Sequence, residues 1–190
     1  MSLRVIAGVA KGRRLKSVPG DTTRPVTDRV KEAVFNILAG DVDGSSWWDL
    51  FAGTGAIGIE ALSRGADFVR FTDSNRAPID TIKENLRNTG FNLKADVRRG
   101  DAFAMLAATP DRSFDFVYIA PPQYHEMWSR ALLQIDSQPA WLAEGACVIA
   151  QIHPKEDRPL EFHRLVEADR RRYGSTLVLF YELNSPEEKQ

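Results

Sequence analysis

The chain has few of the sequence features that mark secreted or membrane proteins. It holds one cysteine in 190 residues, so no internal disulfide can form, and its three histidines show no ligand-like spacing. It has no run of about 20 apolar residues, the length that a membrane helix needs, and no apolar signal-peptide segment near its start. The sequence therefore predicts a protein of the cytoplasm that carries no metal ion.

Net charge is also nearly absent, at −1 for the whole chain, but the charges are distributed unevenly. The first 31 residues hold eight Lys or Arg and two Asp, which gives this basic arm a local charge of +6. A basic arm on a neutral body can attract phosphate groups without making the whole molecule a polycation. A terminus that serves only to keep the protein soluble is the alternative.

Short apolar runs alternate with amphipathic segments from Trp47 onward. This alternation predicts an α/β fold with an open, doubly wound, mostly parallel sheet and an antiparallel hairpin at its C-terminal edge. The predicted strands are Trp47–Phe51, Phe68–Thr72, Val97–Arg99, Phe114–Ile119, Ala146–Ile152, Phe162–Ala168 and Thr176–Tyr181. The predicted helices are Ala56–Arg64, Ala77–Asn88, Ala102–Ala108 and Glu126–Asp136, after a first helix that Thr27 caps and Gly40 ends.

The chain is long enough for one compact domain. We expect residues 1–40, a basic β-hairpin followed by a helix, to belong to the same compact unit as the main domain of residues 41–184. The hairpin is predicted to pair Leu3–Ala7 with Leu15–Val18. Residues 185–190 are expected to be a polar tail. A monomer is expected.

The strongest local motif is the segment Asp49–Gly58, in which glycines follow an apolar strand and precede a helix. Glycines at 53 and 55 permit a tight turn and a close approach of the backbone to a ligand. The amides at the start of the next helix point at the same place. Because Gly53, Gly55 and Gly58 also match the dinucleotide pattern, NAD and S-adenosylmethionine are both candidate ligands.

Acidic residues at three strand ends favour S-adenosylmethionine. Asp49 lies four residues before the first glycine, where its carboxylate would repel a pyrophosphate but suits a ligand with an ammonium and a sulfonium. Asp73 ends the second strand, where it can accept from ribose hydroxyls, and Asp101 follows the third, where it can accept from an adenine amino group. The alternative for each acid is that it caps a turn or the following helix.

Two long motifs resemble those of the bacterial RsmD-like enzymes, which methylate the exocyclic amine of a guanine in small-subunit ribosomal RNA. One is the glycine loop with the residues that follow it, Asp49–Ala66. The other, more specific, is the N-terminal block, which comprises Arg4–Gly8, Lys11–Leu15 and Arg24–Asn36. The last hairpin, Arg172–Leu177, agrees as well, so that the likeness extends over nearly the whole chain.

The resemblance implies a seven-stranded methyltransferase fold that binds S-adenosylmethionine at its glycine loop and holds RNA with its N-terminal hairpin. The cofactor-binding residues that it implies lie at three strand ends and comprise Asp49, Phe51, Ala52, Gly53, Thr54, Gly55, Asp73, Ser74, Asp101 and Ala102. The candidates for RNA contacts are basic residues of the arm, namely Arg4, Lys11, Arg13, Arg14, Arg24 and Arg29. Arg24 and Arg29 could instead belong to a salt-bridged loop.

The chain departs from the family at the loop after the fourth strand. The family carries Asp or Asn, two prolines and an aromatic there, whereas this chain has Ala120, Pro121, Pro122, Gln123 and Tyr124. The missing side chain normally accepts a proton of the amine that is methylated, and losing such an acceptor costs about 100- to 1000-fold in rate. The carbonyl of Pro121 remains, Gln123 could substitute for the lost acceptor, and Tyr124 could stack on an extruded base.

The expected function is methyl transfer from S-adenosylmethionine to the N2 amine of a guanine in 16S ribosomal RNA, with the RNA or a small-subunit precursor as partner. Two alternatives stay open. A DNA adenine-N6 methyltransferase uses a similar two-proline loop. The second alternative is a protein that binds cofactor and RNA but has lost catalysis, because Ala120 replaces the Asp or Asn. Activity on a different atom or base is a further possibility within the enzyme class.

Overall fold

A computed structural model describes residues 3–20, 27–123 and 125–184, and these form a seven-stranded sheet covered by helices. The strands are β1 (Ser46–Asp49), β2 (Phe68–Asp73), β3 (Ala95–Arg99), β4 (Phe114–Ile119), β5 (Leu142–Ile152), β6 (Leu165–Tyr173) and β7 (Thr176–Leu183). The helices are α1 (Asp28–Leu38), α2 (Ala56–Ser63), α3 (Arg76–Thr89), α4 (Ala102–Ala107) and α5 (Met127–Ser137). Short 3-10 turns occupy Ala39–Asp41, Asn92–Lys94, Pro139–Trp141 and Pro154–Glu156.

The strands lie in the order β3-β2-β1-β4-β5-β7-β6. Neighbours from β3 to β5 are parallel, whereas β7 runs antiparallel to both β5 and β6. The predicted α/β fold class is confirmed, including the antiparallel hairpin at the C-terminal edge. The order reverses between β1 and β4, and in open α/β sheets ligands bind beyond the carboxyl ends of the strands at such a point.

Alternate residues of each strand face opposite sides of the sheet and fill two separate cores. Trp47 and Phe116 stack on one side with ring centroids 4.5 Å apart, whereas Trp48 packs against Trp141 on the other side at 4.7 Å. The first core also takes in apolar residues of the basic arm, so the arm packs on the same face as α1, α2 and α3.

The N-terminal hairpin is less regular than the sequence predicts. Its two extended segments are joined by a single antiparallel bridge between Arg4 and Arg14. The Leu15 amide also donates a hydrogen bond to the Leu3 carbonyl at 2.8 Å. The bridge is short because the arm is held mainly by contacts to α2. Helix α1 begins where predicted, since the Thr27 hydroxyl accepts from the Val30 amide at 3.4 Å.

The sixth strand was predicted wrongly as Phe162–Ala168. The Asp136 carboxylate accepts the backbone N–H groups of His163, Arg164 and Leu165 at 2.7–2.9 Å, which holds this segment in a turn. The strand begins only at Leu165 and continues to Tyr173. Its charged second half shows no apolar alternation because β6 lies at the edge of the sheet with most side chains in solvent.

Within the described ranges, no helix is both long and apolar enough to cross a membrane. In that same part of the chain, no group of three or more His, Cys, Asp or Glu side chains is arranged to hold a metal ion.

Candidate active site

The glycine loop after β1 turns sharply and touches the end of β2. Gly53 and Gly55 have φ of +52° and +75°, in the left-handed region that favours glycine. The Gly55 amide donates to the Ala52 carbonyl at 2.7 Å, and the Gly53 amide donates to the Asp73 carboxylate at 3.2 Å. The structure therefore brings the predicted residues of the first two strand ends together.

Position 58 in α2 requires a glycine because the helix packs directly on the sheet there. A Cβ added there would lie 2.3 Å from Cε1 of Phe71, a ring that is fully buried. We expect Gly58→Ala to lower the free energy of unfolding by about 1–3 kcal/mol. Thermal unfolding of this variant should be compared with that of Gly40→Ala, whose Cβ would enter open space. Equal melting temperatures would contradict the close helix–sheet contact.

Asp49 ends β1 beneath the loop and is 2% exposed. One carboxylate oxygen, Oδ2, accepts from the Gly58 amide at 3.2 Å. Burial raises the pKa of Asp49 to about 7; the Gly58 amide opposes the rise and the charge of Asp73 adds to it. A carboxylate in this state is stabilised by a cationic ligand and destabilised by a second anion.

The other two predicted acids have local roles as well. Asp73 Oδ1 accepts from the Asn75 amide at 2.9 Å, and the Asp73 carbonyl accepts from the Gly100 amide at 3.0 Å, which joins the ends of β2 and β3. Asp101 caps α4 by accepting from the Ala104 amide at 2.8 Å. The capping predicted as the alternative is therefore present, and it leaves both carboxylates at the same edge of the sheet.

The remaining predicted cofactor residues surround these acids. Phe51 is half-buried and meets the Phe103 ring edge-on, with centroids 6.0 Å apart. Ser74 is exposed, whereas Ala102 is buried as the first residue of α4. The Thr54 carbonyl faces the third helix, where it accepts a hydrogen bond from an asparagine.

That asparagine, Asn85, connects the basic arm to the glycine loop, and sequence reasoning missed it. It is fully buried in α3. Its side-chain amide donates to the carbonyls of Thr54 and Lys16 at 3.0 and 3.1 Å, and its oxygen accepts from the Lys16 amide at 2.7 Å. The signal that could have revealed it is its spacing, since Asn85 falls at helical spacing from the apolar residues Ile82 and Ile79.

A buried ion pair between α1 and α2 anchors the arm, and it too was missed. Lys31 Nζ lies 3.2 Å from Glu60 Oε2, and both side chains are 0% exposed. Glu60 also accepts the backbone amides of Ile6 and Ala7 at 2.8 and 3.0 Å. Burial lowers the pKa of Lys31, and the charge of Glu60 opposes that shift. The pair fixes the arm to the helix that follows the glycine loop.

The candidate RNA-binding residues are spread along the outer side of this arm. Lys11, Arg13, Arg14 and Arg29 are exposed. Arg4 is exposed as well, but it pairs with Asp28 at 3.1 Å. Arg24 lies outside the described residues. The described candidates are therefore all exposed to solvent, where they can meet phosphate groups.

The two-proline loop follows β4 at the carboxyl edge of the sheet. Ala120 and Pro121 are half-buried, and Ala120 packs against the first core. Pro122 and Gln123 are exposed, and Tyr124 lies outside the described residues. Trp128, at the start of α5, is 2% exposed within the second core. The apolar face of α5 turns its indole inward.

A cavity of about 600 Å³ lies away from these loops, at the amino ends of β1 and β4. Its floor is apolar, with Phe116 and Phe180, and five carboxylates line it. They are Asp41, Asp43, Asp115, Asp169 and Glu182. None of the predicted site residues lines this cavity, and its charge is opposite to that of the arm.

The strand order, the glycine loop and the acids at three strand ends together define the class I methyltransferase fold. Residues 3–182 match the family described as "Conserved hypothetical protein 95". The Bacillus subtilis protein named "Putative rRNA methyltransferase YlbH" is 39% identical over 182 residues, which cover 95% of this chain and 98% of that one. Ribosomal RNA small subunit methyltransferase D of Escherichia coli K12 is 31% identical, with 83% and 78% covered.

Solved structures agree with these relatives. The structure titled "Putative methyltransferase yhhF from Escherichia coli" superposes with a TM-score of 0.86 at 27% identity, covering 96% of this chain and 98% of that one. An RNA methyltransferase from Salinibacter ruber, in complex with S-adenosyl-L-homocysteine, shares the fold with a TM-score of 0.63 at 17% identity, covering 88% and 99%. The chain belongs to the Conserved hypothetical protein 95 family. The predicted family resemblance and the enzyme class, a methyltransferase, are confirmed.

Proposed function

We propose that this protein transfers a methyl group from S-adenosylmethionine to the N2 amine of a guanine in small-subunit ribosomal RNA. The substrate class is supported by relatives named as ribosomal RNA methyltransferases, which match nearly the whole chain. The observation that carries the proposal is the buried Asp49 carboxylate directly beneath a two-glycine turn.

The residues at the strand ends fit S-adenosylmethionine and disfavour NAD. The raised pKa of the buried Asp49 carboxyl indicates that a nearby positive charge would stabilise its ionised form. A pyrophosphate would place a second anion beside that carboxylate. In the proposed site Asp49 holds the cationic end, Asp73 the ribose and Asp101 the adenine. When bound, the cofactor supplies a methyl group on a positively charged sulfur.

The two-proline loop supplies the acceptor side of the reaction. An exocyclic amine is a poor nucleophile because its lone pair is delocalised into the ring, so rate depends on positioning and on acceptors for its N–H groups. Pro121 is half-buried at the carboxyl end of β4, where its carbonyl can accept one amine N–H. Gln123 is exposed on the loop and has an amide oxygen that can approach a bound base.

The basic arm is proposed to bind RNA phosphates. The acidic cavity at the amino ends of β1 and β4 would repel them, so the RNA is expected to avoid that surface. Anchoring by Lys31 and Glu60 keeps the arm rigid, which reduces the ordering entropy that binding must overcome.

Replacing Arg13 and Arg14 together by Ala should weaken RNA binding without changing cofactor affinity. Both side chains are exposed and form no ion pair with the described residues, so removing them leaves the fold intact. The slope of log K against log salt should become less steep by about 1.4–1.8 if each arginine contacts one phosphate. Filter binding to rRNA at several salt concentrations measures this slope. The matched control is Arg171→Ala on the far edge of the sheet; an equal loss there would contradict a specific role of the arm.

The proposed function is tested by methyl transfer from labelled S-adenosylmethionine to small ribosomal subunits that lack base methylation. Label on a guanine N2 is the expected result, and duplex DNA serves as the competing substrate. Stronger labelling of DNA would favour a DNA adenine methyltransferase. Ala120 favours one other candidate, a protein that binds cofactor and RNA without catalysis. For that candidate, the wild type would transfer no label to RNA, whereas Ala120→Asp would transfer it.

A further inference from the structure

Ala120, where the chain departs from the family's motif, has a polar neighbour on the next strand, β5. In the parallel register of β4 and β5, Tyr118 pairs with Ile149 and Ile119 pairs with Ala150. The next pair along is therefore Ala120 and Gln151. Adjacent strands lie about 4.8 Å apart, and alternate residues share a face. Ala120 and Gln151 thus stand side by side on the face that carries Tyr118, at the carboxyl edge where the two-proline loop begins.

Gln151 is held in a defined orientation. The Tyr118 hydroxyl donates to Gln151 Oε1 at 2.6 Å. Tyr118 is 0% exposed, and burial, together with the charge of Asp49, raises the pKa of its hydroxyl. The hydroxyl therefore keeps its proton and acts as a fixed donor. Gln151 itself is half-buried, and its Nε2 makes no hydrogen bond to the residues that the structure describes.

An amide oxygen has two lone pairs, and Tyr118 uses one of them. The second has no partner among the described residues, and the neighbouring position on β4 is 120, where the family's Asp or Asn would stand. The contact gives Gln151 the property that positioning of an amine requires, which is an acceptor that is already aimed.

Resting on the proposed function, we propose that Gln151 is a catalytic residue that supplies from β5 the side-chain acceptor that position 120 lacks. Its Oε1 accepts an N–H of the target base while the Pro121 carbonyl accepts another. Tyr118 acts through Gln151 by fixing the amide.

The test compares variants in the methyl-transfer assay with small ribosomal subunits. Gln151→Met, which keeps the size but removes the acceptor, should lower kcat by about 100-fold. KM should change by less than about threefold, because the loss falls on positioning rather than on binding. Gln151→Glu keeps an acceptor and should stay within about tenfold of the wild type. Adding Ala120→Asn to Gln151→Met should recover at least about tenfold, since the acceptor returns on β4.

Tyr118→Phe separates this role from a structural one. It removes the same hydrogen bond from the other partner but leaves the Gln151 amide in place, so kcat should fall by less than about tenfold. Gln151→Met activity within about threefold of the wild type would overturn the proposal, as would a loss of kcat in Tyr118→Phe larger than that in Gln151→Met, since Tyr118 acts only through Gln151. Gln151→Met should melt about 2–12 °C lower than the wild type, because it leaves the buried Tyr118 hydroxyl without its acceptor. The S-adenosylmethionine affinity of each variant should match that of the wild type, and a large loss of affinity in Gln151→Met counts against the proposal.

Failure of the proposed function gives a different pattern. If neither the wild type nor any variant transfers methyl to RNA, the proposed function itself is wrong. If the wild type is silent but Ala120→Asn is active, RNA methylation by this fold stands and Gln151 does not replace the missing acceptor.

Discussion

Asp49→Asn is expected to lower the affinity for S-adenosylmethionine by about 100-fold, which corresponds to about 2.7 kcal/mol. The asparagine oxygen can still accept from the Gly58 amide, so the glycine loop keeps its shape. What is lost is the negative charge, which is buried beneath the loop and faces the proposed cationic ligand. Isothermal titration calorimetry measures the change. An affinity within about threefold of the wild type would contradict the proposed role of Asp49.

The same variant should unfold at a higher temperature than the wild type at pH 8 in the absence of cofactor. The folded-state pKa of Asp49 is raised to about 7, above the value of about 3.9 in an unfolded chain. Its contribution to stability is therefore most favourable below pH 4 and is lost as the pH rises from about 4 to 7. Asparagine avoids that loss. A gain on the order of 2 kcal/mol would raise Tm by about 4–8 °C.

The pH dependence of cofactor binding provides the control. Below about pH 7 a proton competes with the cationic ligand for the Asp49 carboxylate, so the wild-type affinity should fall as the pH is lowered. In Asp49→Asn this component should be absent. An identical pH profile in both proteins would assign the dependence to another group.

Glu60→Gln is expected to lower the free energy of unfolding by about 3–5 kcal/mol, because it leaves the Lys31 ammonium buried without its counter-charge. For a chain of this size that corresponds to a drop in Tm of about 6–20 °C. The glutamine oxygen can still accept one of the two arm amides, so the loss reports mainly on the charge. Thermal unfolding at neutral pH measures it.

The matched control is the double variant Lys31→Met with Glu60→Gln. It removes the unpaired ammonium, and an apolar side chain of similar length fills its space. The double variant should therefore be more stable than Glu60→Gln alone, by about 1–3 kcal/mol. The single variant Lys31→Met completes the comparison. If the destabilisation of the double variant equals the sum of those of Lys31→Met and Glu60→Gln, the two residues act independently, contrary to the 3.2 Å contact.

Much of the sheet could be predicted because its strands are buried and bounded by polar turns. The limits of β4, Phe114–Ile119, were predicted to the residue, since an apolar run there lies between Ser113 and the two prolines. The glycine loop and the strand-end acids were predicted from spacing alone, because parallel strands place their carboxyl ends at one edge. Each of these features depends on residues close together in the sequence.

The contacts between distant segments could not be predicted in the same way. Glu60 and Lys31 are charged residues on helices, and in sequence such residues indicate an exposed face. Asn85 and Gln151 acquire their partners only through the packing of the arm on α3 and the register of β4 with β5. The limits of β6 were wrong for a related reason, since an edge strand with most side chains in solvent carries no apolar alternation.

The charged face of β6 has a consequence for the protein in a crowded solution. An edge strand exposes unpaired N–H and C=O groups that could pair with another chain and begin aggregation. Along this edge Arg170 pairs with Glu167 and Arg171 with Asp169, and the ladder to β7 shifts register between Glu167 and Asp169. An incoming strand would have to desolvate these ion pairs and follow an irregular backbone. The stretch that was hardest to recognise as a strand is thereby the one that protects the sheet from unwanted extension.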